Sequence, residues 1–371
     1  MKISIIGCAG VPAAYGGFET LAENLVLYCE RHGLDVCVSV YCSGRLSAGM
    51  PAVFHGAELI YLPLPANGVS SIVYDAWSMA QALYRRADVV LVLGVSGAIA
   101  MPVLRCLGWI ARRPRMKIVT NVDGIEWRRA KWKGLARHFL RFSEWLAVRF
   151  SDVVVADNQG VADHVSRTYG ATSSVIAYGG DHAVQTEPRA FPLPLPSRYA
   201  LSLCRIEPEN NVDMILRAFS RMPDQPLVFV GNWNASVYGR ETRARYQTHR
   251  HLLLLNPEYD AGVLRTLRSG ASLYVHGHSA GGTNPSLVEM MHFGVAVAAY
   301  DCAFNRYTTE SQALFFSDAT QLQSMVQQLD ASTTAKVGSA MQTLARQHYM
   351  WDQVGASYFH ELRLVHLSDN A

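Results

Sequence analysis

No Cys-x-x-Cys pair occurs in the 371 residues. The seven cysteines (Cys8, Cys29, Cys37, Cys42, Cys106, Cys204 and Cys302) are odd in number and mostly embedded in apolar runs. This argues against a disulfide framework or a thiolate zinc site and predicts free thiols in a reducing cytoplasm. Long apolar runs are missing too. The longest stretch without Asp, Glu, Lys or Arg, 269–288, holds His276, His278, Asn284, Pro285 and four glycines. The more apolar 89–104 is broken by Gly94, Gly97 and Pro102 and falls short of the ~20 residues of a spanning helix. Ile3–Ile6 is far shorter than a signal-peptide core, although Gly7-Cys8 follows it. No transmembrane segment is predicted. Two nucleotide motifs are also absent. Counted from Gly7, the second and third glycines of G-x-G-x-x-G fall on Ala9 and Pro12, and no Gly-Lys-Ser/Thr of a Walker loop follows.

Charge is scarce and almost balanced, with 17% charged residues and a formal net charge of +3. The balance hides a segregation. Between Arg105 and Arg149, twelve Lys/Arg stand against Asp123, Glu126 and Glu144, a local +9 that leaves −6 for the remainder. Trp109, Trp127, Trp132 and Trp145 lie in the same stretch. Lys and Arg attract anionic headgroups and Trp favours the headgroup level. The 105–149 region therefore predicts an anionic membrane surface as partner, at the inner face of the plasma membrane. No nucleic-acid motif accompanies the charge, and no nucleic acid is expected.

Half of the residues are hydrophobic, enough for a sizeable core, and the length suggests two domains. Val/Ile-rich runs at 3–6, 36–41, 58–62, 89–93, 117–122, 153–156 and 175–178 read as parallel strands covered on both faces. Helical patterns separate them, at about 17–31, 71–85, 98–111, 134–150 and 158–169. The stretch with Pro188, Pro192, Pro194 and Pro196 is stiff and continues neither helix nor sheet, so 188–198 reads as a linker. Strands at 199–204, 227–231, 251–255, 271–275, 295–299 and 313–316 then alternate with helices at 209–221, 260–268, 284–293 and 319–329. The expectation is an α/β protein with two Rossmann-like doubly wound domains facing a cleft, over 1–187 and 199–350. A helical tail, about 333–367, leaves two placements open for 351–371: a cap on the second domain or a return to the first.

Four loops that follow strands carry residue types suited to ligands, since such sheets bind beyond their strands' carboxyl ends. The first runs from Gly7 to Thr20, with Gly10, Gly16 and Gly17, and opens a helix whose free amides suit an anion. The second runs from His276 to Glu289. Asn284 is a natural N-cap and Pro285 a natural first helical residue, so the helix start faces Gly281-Gly282. Glu289 lies just over one turn in and suits a hydroxyl, although a carboxylate there also complements the helix dipole. His276 and His278 lack acidic or cysteine partners at ligand spacing, and no metal site is expected. The third is Cys204 to Asn211, where Arg205 at a strand end suits a diphosphate and Asn211 or its neighbour caps the next helix. The fourth is Thr120 to Lys133, where Asp123 and Glu126 suit proton transfer or sugar hydroxyls, or pair with neighbouring arginines.

These strings together resemble retaining glycosyltransferases of the GT-B fold, family 4, and more narrowly bacterial polysaccharide rhamnosyltransferase-like proteins. The matching segments are Ala14-Tyr15-Gly16-Gly17-Phe18-Glu19-Thr20, Asp123-Gly124-Ile125-Glu126-Trp127, Arg205-Ile206-Glu207-Pro208-Glu209-Asn210-Asn211, Gly281-Gly282-Thr283-Asn284-Pro285-Ser286 and 299–306. The resemblance implies a nucleotide-sugar donor held mainly by the second domain, an acceptor held by the first, and retention of configuration without a metal or other cofactor. Arg205, Asn210, Gly281, Gly282, Thr283, Asn284, Pro285, Ser286 and Glu289 would bind the donor. Gly16, Gly17, Glu19, Glu126 and Trp127 would line the acceptor side or the junction, and Asp123 and Glu289 would serve the chemistry. Three positions depart from the broad family. Gly281 stands where a Glu is frequent, Asn210 where a Lys is frequent, and Asp123 where the loop often carries a His. A helix start and a cation such as Arg240 would then carry more of the leaving group's charge.

The expected activity is transfer of rhamnose or another hexose from a nucleotide diphosphate to a growing saccharide in bacterial polysaccharide synthesis. The acceptor expected is a saccharide on a polyprenyl diphosphate lipid. Two other readings stay open. One is a nicotinamide-dependent oxidoreductase or epimerase, and the other a non-catalytic component of a polysaccharide assembly complex.

Overall fold

The computed structural model describes residues 1–13, 16–44, 50–110, 116–128 and 132–368. The chain divides into two compact units, Met1–Ala177 with Trp351–Ala371, and Tyr178–Met350. The first is built on β1 (Lys2–Ile6), β2 (Cys37–Ser43), β3 (Val53–Phe54), β4 (Ala57–Leu62), β5 (Val89–Leu93), β6 (Lys117–Asn121), β7 (Val153–Ala156) and β8 (Ser174–Val175). Their order is β3-β4-β2-β1-β5-β6-β7-β8, parallel throughout except for the β3–β4 pair. Every residue of β5 and β6 is buried, which explains the continuous apolar runs. The polar residues of β6 have partners: Thr120 meets the Ser151 hydroxyl at 2.6 Å, and Asn121 donates to the Tyr358 hydroxyl at 2.7 Å.

The second unit carries β9 (Ala200–Leu203), β10 (Leu227–Val230), β11 (Leu252–Leu255), β12 (Leu273–His276), β13 (Val297–Tyr300) and β14 (Leu314–Phe316). All pair in parallel, in the order β11-β10-β9-β12-β13-β14. This is the strand order of a dinucleotide-binding sheet, whose winding reverses between β9 and β12. In the first unit the corresponding reversal lies between β1 and β5.

The boundary between the units precedes the proline-rich 188–198 stretch, contrary to the linker reading. Packing decides this. Helix His182–Gln185 lies against helices Ala261–Ser269 and Pro285–Met291, and the Arg189 amide donates to the Gly262 carbonyl at 3.0 Å. The prolines thus run along the surface of a unit already begun. The tail is two helices rather than one, Ala331–His348 and Trp351–Leu367. Tyr349, buried between them, donates its hydroxyl to the Thr308 carbonyl at 2.7 Å. Helix Trp351–Leu367 packs in the first unit on helix Gly17–Arg31, where the rings of Tyr28 and Phe359 stack at 5.7 Å. Gly355 permits the approach, because an added Cβ would meet the Tyr28 ring at 2.5 Å. No described helix is long and apolar enough to cross a membrane.

Candidate functional site

In the second unit, the loops leaving β9 and β12 are laced together. Asn210 Oδ1 accepts from His278 Nδ1 at 2.7 Å, and its Nδ2 donates to the Arg205 carbonyl at 2.7 Å. The Ser279 amide and hydroxyl both donate to the Glu209 carbonyl. Gly277 is required here, because a Cβ would fall 2.1 Å from the Asn210 carbonyl oxygen. Asn210 is therefore buried and engaged at both ends of its amide, holding loop to loop. Asn211 precedes helix Val212–Phe219 but does not cap it with its side chain. It sits in the left-handed region, φ 50°, and donates to the Gly277 carbonyl at 2.8 Å.

Arg205 is exposed at the end of β9, and its guanidinium makes no ion pair or hydrogen bond among the described residues. Arg240 is exposed as well and donates to the Asn234 carbonyl at 3.0 Å. Gly281 adopts φ 123°, a conformation that L side chains rarely reach, so this loop is built around glycine where the resembled family often has Glu. Gly282 and Thr283 are buried. Asn284 caps helix Pro285–Met291, its Oδ1 accepting from the Ser286 amide at 3.1 Å and the Ser286 hydroxyl at 2.7 Å, with Pro285 following it. Ser286 in turn accepts from the Tyr274 hydroxyl at 3.0 Å.

Glu289 occupies the centre of a charged group. One oxygen pairs with the buried Arg268 guanidinium, and the other lies 3.4 Å from His182 Nε2. Burial acts to raise its carboxyl, but Arg268 and His182 outweigh that effect and hold it below the usual carboxylate range. It is an anion suited to receiving hydroxyl protons. Gly180 brings His182 close, since a Cβ on it would meet the Glu289 amide at 2.7 Å. Neither His182 nor Arg268 stood out in the sequence. Arg268 looks like an ordinary cation in a last helical turn, and His182 follows an unremarked Gly179-Gly180 pair. His276 is buried, and burial pushes it down to about 3, leaving a neutral ring whose Nε2 has no partner among the described residues. Among the described residues, no three His, Cys, Asp or Glu converge as a metal-binding group.

The first unit treats its opening loop differently. Glu19 folds back to accept from the Ala9 amide at 2.7 Å, and Glu23 accepts from the Ala13 amide. Gly16, φ 116°, makes room, because a Cβ would lie 2.1 Å from Glu19 Oε2. Two amides of the loop, ahead of the helix start, are thus held by carboxylates. Gly17 begins the helix. Ala14 and Tyr15 of the resemblance string lie outside the described residues.

After β6, Asp123 and Ile125 flank Gly124 with φ 58° and 29°. Positive φ at a β-branched residue is strained, and such strain concentrates at functional turns. The Asp123 amide donates to Asn121 Oδ1 at 2.9 Å, fixing the turn to the strand end. Glu126 accepts from the Trp132 indole at 2.9 Å, and Trp127 is buried. Of the twelve cations, Lys117 is buried against Ser368, and Arg105 faces inward to Asp152 and the Met116 and Phe150 carbonyls. Residues 111–115 and 129–131, with five more, lie outside the described residues. Arg128, Lys133, Arg137, Arg141 and Arg149 are exposed. Asp75, unremarked in the sequence, is buried beside the loop after β5. Burial raises it to about 7 against hydrogen bonds from Ser96 and the Gly97 amide.

Residues 1–181 match a family described as a domain of unknown function, DUF1972. Among curated proteins, none matches the chain by sequence. Several solved structures are similar over nearly the whole length. A sucrose-phosphate synthase from Thermosynechococcus elongatus superposes with a TM-score of 0.80 at 15% identity, covering 99% of this chain and 100% of that one. Anabaena HepE, in complex with UDP and glucose, gives 0.69 at 16%, covering 98% and 99%. The catalytic domain of starch synthase IV from Arabidopsis thaliana, bound to ADP and acarbose, gives 0.71 at 12%, covering 98% and 99%. The fold is GT-B, with two parallel-sheet, Rossmann-like α/β domains.

Proposed function

We propose that the protein is a retaining glycosyltransferase. It moves rhamnose or another hexose from a nucleotide diphosphate donor to a growing, lipid-linked saccharide in bacterial polysaccharide synthesis. The observation that carries the reading is the exposed Arg205 at the end of β9, unpaired among the described residues, at the sheet's switch point with the loop that leads to Ser286. Whole-length likeness to proteins whose structures hold UDP with glucose, or ADP with acarbose, supports it.

In this mechanism Arg205 neutralises the departing diphosphate together with amides of the 281–286 loop, and no metal or other cofactor is invoked. Glu289, kept anionic by Arg268, accepts hydroxyl protons of ribose or donor sugar and orients them. The acceptor hydroxyl attacks from the face the nucleotide leaves: its oxygen bonds to the anomeric carbon as the bond to the diphosphate oxygen breaks, and its proton passes to that departing oxygen, so no protein nucleophile is needed. Asp123 orients that hydroxyl. The enzyme works in the cytoplasm, peripheral to the inner face of the plasma membrane. Support comes from exposed Val73, Trp77, Val103, Leu107 and Trp109 on helices Ser70–Tyr84 and Met101–Ile110, which pack together, the second running into the basic stretch.

The test is a screen of nucleotide-sugars, dTDP-rhamnose among them, reading released nucleoside diphosphate. One donor is expected to be hydrolysed, and Arg205→Ala is expected to lower kcat/KM about a hundredfold. Absence of hydrolysis, with no thermal stabilisation by any nucleoside diphosphate, overturns the enzyme reading. Asp123→Asn is expected to lower turnover, and unchanged turnover removes it from the mechanism.

A further inference from the structure

We infer that Arg128, Arg137 and Arg141, gathered on the indole of Trp127, form a seat for a phosphate or diphosphate group carried on an apolar chain. This rests on the proposed transfer to a lipid-linked acceptor and names the part of that acceptor that the first unit holds. The three guanidinium carbons lie 5.2, 5.5 and 5.6 Å from the Trp127 ring centre. Two elements bring them together. Arg128 closes the short turn Glu126–Arg128 after β6, its amide bonded to the Ile125 carbonyl at 3.0 Å. Arg137 and Arg141 stand one turn apart on helix Gly134–Phe150.

Charge is the first argument. None of the three arginines pairs with a carboxylate among the described residues. Glu144, on the same helix, is engaged by His164 at 2.8 Å and by the Tyr169 hydroxyl at 2.7 Å. Cation–π contact attracts each guanidinium to the ring but neutralises none of them. Three like charges on one ring repel, and an anion placed among them removes the repulsion. A guanidinium fork is also the side chain that matches phosphate oxygens in pairs.

The second argument is the indole. Trp127 is 9% exposed, and its Nε1–H is buried without an acceptor among the described residues. The buried ring is a fixed floor for the three guanidiniums, so the cationic cluster is held in place before an anion arrives. The turn beneath it holds Ile125 at φ 29°, where strain marks a site under functional constraint. The third argument is the neighbouring face of the same helix. Phe142 and Trp145 are 49% and 43% exposed and stack on each other at 5.7 Å. Beside the cationic row they offer an apolar surface, which suits a phosphate borne on a hydrocarbon chain rather than a free anion.

Inorganic pyrophosphate, farnesyl diphosphate and phosphatidylglycerol vesicles are titrated separately against the full chain and an Arg137→Gln/Arg141→Gln variant. Each titration is repeated with UDP, ADP, GDP and dTDP at saturation to occupy the donor site. Both diphosphates are expected to bind the wild type, farnesyl diphosphate more tightly, and to bind the variant roughly tenfold or more weakly. Nucleotide binding is expected to be the same in both. Equal diphosphate affinity in a variant of unaltered thermal unfolding overturns the seat. So does loss of vesicle binding with farnesyl diphosphate affinity retained, which assigns the cluster to bilayer headgroups. Trp127→Phe and Arg128→Gln, read the same way, decide the matter if the double variant fails to fold. Loss of diphosphate binding in the variant, with no nucleotide bound by either protein, keeps the seat and removes the donor reading instead.

Discussion

Each unit holds a carboxylate near its strand ends, Glu289 half-buried and Asp75 buried, and the two are treated in opposite ways. Glu289 in the second unit is paired with Arg268 and His182 and held below its usual range. Asp75 in the first unit meets, among the described residues, the neutral Ser96 hydroxyl and Gly97 amide, and burial raises it to about 7. The opening loops differ in the same sense. After β9, Arg205 is left exposed and unpaired among the described residues, whereas after β1 the amides of Ala9 and Ala13 are held by Glu19 and Glu23. One strand order thus supports two electrostatic designs. The second unit leaves a cation exposed at its switch point. In the first, positive charge is displaced to the loop after β6, where three arginines meet at Trp127.

The strongest way to break the contrast is to remove the cation that neutralises Glu289. Arg268→Met is expected to cost up to about 3 kcal/mol in denaturant unfolding, because a half-buried carboxylate loses its buried cation and keeps only His182. Adding Glu289→Gln in the same chain is expected to recover part of the loss. The pH dependence follows from the lowered Glu289 carboxyl. Its stabilisation is complete above the carboxylate's unfolded range and is lost as pH falls through the folded value. In Arg268→Met that loss on acidification is expected to disappear.

Asp75 carries the opposite sign. Its folded value, about 7, lies above the unfolded one near 3.8, so folding favours the protonated form. Its contribution is complete below the unfolded value and is lost as pH rises through about 7. Asp75→Asn is therefore expected to raise stability at pH 8 relative to pH 5, by no more than about 4 kcal/mol at ~1.4 kcal/mol per pH unit. Equal gains at both pH values would show that Asp75 ionises freely.

Smaller effects sharpen the loops. Asn210→Lys, which restores the cation common in the resembled family, is expected to destabilise by about 1–3 kcal/mol and not to strengthen nucleoside diphosphate binding. The position is buried and its amide joins His278 to the Arg205 carbonyl. Glu19→Gln is expected to cost about 1–2 kcal/mol, since a charge-assisted bond to the Ala9 amide becomes a neutral one. Unchanged thermal unfolding would mean that the β1 loop holds its shape without Glu19.

Much of this architecture was legible before the coordinates. Strands such as Val89–Leu93 and Val153–Ala156 fall where continuous Val-rich runs predict them, because burial on both faces leaves a signal within a few residues. Asn284-Pro285 announced a helix start for the same local reason. Helix Val237–Tyr246 and strand Val53–Phe54 carried no such signal, one being too polar and the other too short. Of the site, Glu289 and Arg205 were visible as residue types at strand ends, but their states were not. Glu289 meets an arginine 21 positions earlier and a histidine more than a hundred positions away.

The sequence by itself determined the alternation of strands and helices, the glycines and caps of each turn, and the concentration of +9 between residues 105 and 149. These are properties of neighbours along the chain. Only the tertiary structure decided which charges cancel and which stand free. Arg105 and Lys117 turn inward, whereas Arg128, Arg137 and Arg141 converge on one indole. That choice depends on what the fold packs beside each side chain, because desolvation and Coulomb attraction act through space.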